Sequence, residues 1–152
     1  MRVNCSGRDE QAVVGDGEEV GEPYRVLAKN YLASRLDDAE MAVMRKHPQY
    51  GLDALGTVSG LPSEMLDMVV HHHELLDGSG YPHGLMGNEI SDLVRIMTIS
   101  DIFAALIERR AYKPPLSCEA AYQILLDMGP KLDRDLVRAF KFVSRIGQNA
   151  AA

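Results

Sequence analysis

From Pro23 onward, apolar residues recur at spacings of three and four, and the breaks between these runs carry helix start and stop signals rather than strand boundaries. The pattern predicts an all-α domain of about six helices. Asp37 with Glu40 three residues on forms a capping-box signature for a helix through Lys46. Pro48 then disfavours α geometry at His47 but suits the first position of a second helix. Pro62 and Ser63 open a third helix, expected to run to about Leu76. A glycine-rich loop over residues 77–84 follows, too long for a minimal helical turn. A long helix is predicted over residues 91–109; Ser117 caps another that stops at Gly129-Pro130, and Asp133 caps a last one ending near Gly147. Residues 1–21, rich in glycine and acids, read as a flexible arm, residues 22–147 as the domain and residues 148–152 as a tail.

The same periodicity sorts three consecutive histidines. Glu64, Asp67, His71 and Glu74 share a polar stripe of the third helix, so His71 is expected to face water. Met65, Met68, Val69, His72, His73 and Leu76 continue an apolar stripe, which turns His72 and His73 inward, about 100° apart around the axis. A single inward histidine is usually a core residue bonded to backbone carbonyls, but burying two adjacent imidazoles costs desolvation that hydrogen bonds or a metal must offset. Asp101 lies on the stripe Val94, Met97, Asp101, Ala104 and Ala105 of an otherwise apolar helix, as a metal ligand or as the ion-pair partner of an arginine such as Arg95. His47, at its helix junction, can point into a cleft. Together these mixed nitrogen and oxygen donors suit one or two ions of iron, manganese or zinc rather than calcium.

Composition narrows the function classes. A chain of 152 residues with 46% hydrophobic and 25% charged residues fits one soluble domain. Sixteen Lys and Arg against 22 Asp and Glu give a net charge of -6, the wrong sign for nucleic-acid binding. Cys5 and Cys118 lack zinc or disulfide spacing, which fits a reducing cytoplasm. No secretory h-region is present, and the longest apolar stretch, residues 94–107, is broken by Asp101, so no membrane association is expected. Within this acidic chain Arg109, Arg110 and Lys113 cluster around Tyr112, where they can compensate a helix C-terminus or hold phosphate oxygens. A metal site beside such a cluster points to phosphoester hydrolysis.

The run His72-His73-Glu74-Leu75-Leu76-Asp77-Gly78-Ser79-Gly80-Tyr81-Pro82, with Gly84-Leu85, resembles the HHE-xx-DGxGYP-xGL signature of the HD-GYP family. The likeness extends to His47-Pro48 and Gly51 upstream, and to Arg95-Ile96, Ser100-Asp101 and Arg110-Ala111-Tyr112-Lys113 downstream. It implies an HD-domain-like helical bundle that hydrolyses cyclic di-GMP with two or three iron or manganese ions. On this resemblance His47, His72, His73 and Asp101 are metal ligands, Arg110 and Lys113 contact substrate phosphates, and Tyr81 borders the site on a loop that helps contact signalling partners, GGDEF-type proteins among them. Aligned without gaps, Val13-Val14-Gly15-Asp16-Gly17-Glu18-Glu19 lies along the segment carrying the HD dyad. Asp16 matches the dyad aspartate, a metal ligand and catalytic residue with Asp101, whereas Gly15 replaces the histidine and Glu19 the lysine. The resemblance therefore implies a phosphodiesterase of reduced activity, or an inactive relative that binds a nucleotide or protein partner. Loss of the helices that precede the dyad in the family would leave an apolar groove favouring self-association.

Overall fold

The computed structural model describes residues 13–14, 18–19, 36–108 and 114–149, the first two pairs and 144–149 by backbone alone. Among these residues six α-helices are found: α1 (Asp38–Met44), α2 (His47–Leu55), α3 (Ser63–His71), α4 (Asp92–Ile107), α5 (Cys118–Asp127) and α6 (Arg134–Asn149). Short 3-10 turns at Gly87–Glu89 and Gly129–Lys131 lead into α4 and α6. The β content among the described residues is slight. Val13–Val14 (β1) and Glu18–Glu19 (β2) pair antiparallel, and Asp77 bridges to Met86. The β1–β2 pairing falls in the stretch expected to be a flexible arm; Asp16 lies outside the described residues. At the other end α6 reaches Asn149, through Gly147 and past the expected end of the domain.

The helix starts follow from their caps. Asp37 and Glu40 form the reciprocal box, Asp37 Oδ1 accepting from Glu40 N at 2.8 Å and Glu40 Oε2 from Asp37 N at 2.9 Å. Ser91 caps α4, Ser117 caps α5, and Asp133 Oδ1 accepts the Asp135 and Leu136 amides at 3.0 and 3.1 Å. Proline sits in the first turn of α2.

The core lies where α4, α5 and α6 meet. Ile99 and Phe103 of α4 pack with Ala121, Tyr122 and Leu125 of α5 and with Leu132, Val137 and Phe140, all buried. Phe103 and Phe140 meet edge to face at 5.1 Å. The buried stripe of α4 is thus Val94, Thr98, Ile99 and Phe103, while Met97 and Asp101, placed on the core stripe by sequence spacing, sit on its flank, 42% and 41% exposed. The expected alternative partner of Asp101 is engaged elsewhere. Arg95 bonds Asp133 at 3.0 Å and the carbonyls of Ile90 and Gly87, tying α4 to the first 3-10 turn and to the cap of α6. Leu76 N donates to Lys131 O at 2.9 Å, anchoring the start of the glycine-rich loop on the same side.

A second correction concerns α3. The helix stops at His71, with His72 as its C-cap, well before Leu76. The chain then turns so that the Glu74 amide donates to the His71 carbonyl at 2.8 Å and the Tyr81 amide to the His73 carbonyl at 3.2 Å. Helical periodicity therefore ceases to govern the directions of His72, His73 and Glu74.

Candidate metal centre

Close packing of α2 against α3 brings His47 to the end of α3. At Gly51 a Cβ would stand 2.9 Å from Val69 Cγ1, so the absence of a side chain lets the two helices approach. His47 Nε2 lies 3.0 Å from His72 Nε2 and 3.2 Å from His73 Nε2. All three rings are half-buried, and their donor atoms lie within 4.8 Å of one another.

The second nitrogen of two rings decides what this arrangement can do. His47 Nδ1 stands 2.7 Å from the Met44 carbonyl and His72 Nδ1 2.8 Å from the Val69 carbonyl. A carbonyl oxygen only accepts, so both Nδ1 atoms carry the proton, and in neutral rings both Nε2 atoms present lone pairs. Two lone pairs facing each other at 3.0 Å repel unless a cation lies between them. A proton is disfavoured there. Burial holds His47 below the usual imidazole range, and burial together with His72 and His47 pushes His73 down to about 3. A divalent metal fits the triad better than a proton does, and the backbone carbonyls play the orienting part that metal-bound histidines normally require.

Asp101 lies next to this triad rather than in it. Its Oδ2 is 4.0 Å from His73 Nδ1, too far for a direct hydrogen bond but close enough to favour a proton on that nitrogen. An open cleft of about 400 Å³ begins at Asp101 and continues past Ala104, Ala105 and Glu108. Tyr81 stacks on His73 with ring centroids 4.6 Å apart, and the Arg45 guanidinium lies 5.7 Å above the Tyr81 ring. Burial, reinforced by the Asp101 charge and opposed by Arg45, pushes the Tyr81 phenol up to about 12. The phenol therefore keeps its proton at neutral pH and can donate a hydrogen bond. Arg110 and Lys113 lie outside the described residues.

Glu74 is the residue that sequence periodicity misplaced. Expected on the polar face, it is 2% exposed. Its Oε1 accepts the His83 and Gly84 amides at 2.6 and 3.1 Å, and its Oε2 the Leu85 amide at 3.0 Å. One carboxylate thus gathers the end of the loop beneath Tyr81. Gly80 completes the fold-back, since a Cβ there would meet the Leu75 nitrogen, Glu74 Cα at 2.5 Å and the His73 carbonyl oxygen at 2.6 Å. Adjacency of Glu74 to two histidines was the available sequence signal for this role, as was the need of a long loop for buried acceptors. Arg45 carried no such signal. His71, expected in water, is half-buried and bonded to Asp67 and His83.

The model of the HD domain family matches residues 19–136. Among curated relatives, a probable cyclic di-GMP phosphodiesterase of Vibrio cholerae is 36% identical over 85% of this chain and 30% of its own length. A cyclic di-GMP phosphodiesterase of Thermotoga maritima is 34% identical over 85% of this chain and 35% of its own. A 3'3'-cGAMP-specific phosphodiesterase of Vibrio cholerae is 37% identical over 73% and 21%. The chain thus spans about a third or less of these relatives. Among solved structures, Bd1817, an HDG"Y"P protein from Bdellovibrio bacteriovorus, superposes with a TM-score of 0.60 at 18% identity, over 76% of this chain and 37% of that one. The mostly helical fold of the described residues, the converging histidines and the family match agree: the chain belongs to the HD domain family, in its HD-GYP group.

Proposed function

We propose that this domain is a metal-dependent phosphodiesterase of cyclic dinucleotides, cyclic di-GMP first among them, working below the rate of a member with a complete HD dyad. The observation that carries the reading is the facing of the His47 and His72 lone pairs at 3.0 Å, with His73 at 3.2 Å from His47. His47, His72 and His73 would hold the ion, with Asp16 and Asp101 as carboxylate ligands toward it or a neighbouring one. Imidazole nitrogens joined by carboxylate oxygens would suit iron or manganese, with zinc also compatible, rather than calcium. When bound, such an ion polarises a phosphoryl oxygen and lowers the pKa of a bound water.

The chain's own groups supply the rest. Asp101 would orient His73 and receive a proton at the mouth of the cleft. Tyr81 would donate its retained hydroxyl proton to the nucleotide, and Arg110 and Lys113 would pair with its phosphates. The GYP loop, held by Glu74, is the surface proposed for a signalling partner. Gly15 and Glu19 favour a second reading, in which the domain binds the nucleotide without cleaving it, because the dyad histidine is absent and a carboxylate repels an anionic ligand.

The test loads the purified chain with Mn²⁺ or Fe²⁺ and follows cyclic di-GMP by chromatography, alongside calorimetric binding. Slow formation of the linear dinucleotide, faster in Gly15→His with Glu19→Lys, is expected. Binding without turnover selects the second reading. Neither binding nor turnover by metal-loaded protein overturns both.

A further inference from the structure

Outside the triad, a second pair of histidines is aligned by a carboxylate. Asp67 Oδ1 stands 2.7 Å from His71 Nδ1, and Ser91 Oγ donates to Asp67 Oδ2 at 3.1 Å, fixing the carboxylate from the cap of α4. A carboxylate at 2.7 Å places the proton of His71 on Nδ1, so in the neutral ring Nε2 carries a lone pair. That nitrogen points at His83 Nδ1, 2.9 Å away. His83 is exposed, but its backbone is held by the Glu74 carboxylate at 2.6 Å. The two rings border an open cleft of about 550 Å³ that also receives Glu64 and Ser63.

We propose that His71 Nε2 and His83 Nδ1 form a second transition-metal site, separate from the triad, for a divalent ion of the zinc or copper type. Three features favour this chemistry. The Asp67–His71 pair is the carboxylate–imidazole arrangement that orients and strengthens a metal-bound histidine. The nitrogen spacing is that of neighbouring ligands on one ion, and imidazole donors suit zinc and copper. The cleft leaves room for water to complete the coordination, and the Asp67 and Glu64 carboxylates supply negative charge beside a dication. Because His71 belongs to α3 and His83 to the loop that carries Tyr81, a bound ion fastens that loop to the helix whose end bears His72 and His73. The site does not depend on the phosphodiesterase reading.

Zn²⁺ titration by calorimetry on the full chain tests the proposal, in a His47→Gln/His72→Gln background that removes the triad and in the same background with His83→Gln. One ion per chain in the first protein, its affinity reduced about 100-fold or more in the second, is the expected result. Side-chain NMR of His71 and His83 should shift with the same stoichiometry. Equal Zn²⁺ binding by the two proteins, or binding that leaves both imidazoles unshifted, overturns the proposal. His83→Gln alone should retain the ion at the triad; a wild-type protein that binds Zn²⁺ through His71 and His83 and holds no ion at the triad counts against the phosphodiesterase reading and leaves this one standing.

Discussion

Replacing Glu74 by Gln tests whether one carboxylate shapes the GYP loop. The two side chains have nearly the same volume, so packing is preserved and the hydrogen bonds alone change. In the native protein both oxygens accept backbone amides, three in all, at 2.6, 3.1 and 3.0 Å. An amide can keep its oxygen toward His83 and Gly84, but its NH₂ group then faces the Leu85 N–H, donor against donor. Hydrogen bonds to a charged group contribute about 1.5–3 kcal/mol each, and a buried donor left unsatisfied costs about 1–3 kcal/mol. One bond lost and two weakened therefore predict a destabilisation of about 3 kcal/mol. For a domain of this size that lowers the melting temperature by roughly 6–12 °C, at about 2–4 °C per kcal/mol. Urea denaturation measures the global effect, and hydrogen exchange at residues 83–85 detects a loop that detaches before the rest unfolds. Metal content should fall in parallel, because the same loop carries Tyr81 against His73. A Glu74→Gln protein with native midpoint and native exchange at these amides would falsify the assignment of Glu74 as the loop's anchor.

Further outcomes follow from the same geometry. In chelator-treated protein, His47 and His73 stay neutral in the fold below the pH at which the unfolded chain takes up protons. Stability should therefore be intact above pH ~6.5 and fall as pH drops from there toward about 3 through His73, by up to ~1.4 kcal/mol per pH unit, with His47, also lowered by burial, adding to the loss in the same direction; a urea midpoint that is flat across this range contradicts the burial argument. Removing one ligand, as in His72→Ala, should lower metal affinity by more than the ~100-fold typical of an outer-shell change, read by elemental analysis after dialysis. Gly80→Ala should cost about 3 kcal/mol or more, since the new methyl meets three backbone atoms that cannot rotate away; an unaffected denaturation midpoint would refute the close approach.

Local chemistry was enough to place the helix starts. Asp37, Ser91, Ser117 and Asp133 each satisfy amides within their own first turn, an interaction complete within three or four residues. The apolar periodicity likewise announced a helical bundle, and the HHE-to-GYP run announced the family. The three histidines that converge were legible because His47-Pro48 with Gly51, and the pair His72-His73, are one-dimensional signals.

What the sequence could not determine are the partners chosen across the fold. The end of α3 at His71 is decided by a loop that turns back onto the His73 carbonyl, and that turn in moving Glu74 from the polar face to the interior overrides its helical phase. Asp101 and Arg95 share a helix, yet Arg95 reaches Asp133, 38 residues on, because the chain between them returns to its side. Asp67, His71, His83 and Ser91 form a connected set only after the loop has folded over α3. Hydrogen bonds within one turn are read from neighbours in sequence, whereas buried polar groups are satisfied by whichever donors the packing delivers, and only the tertiary structure specifies those.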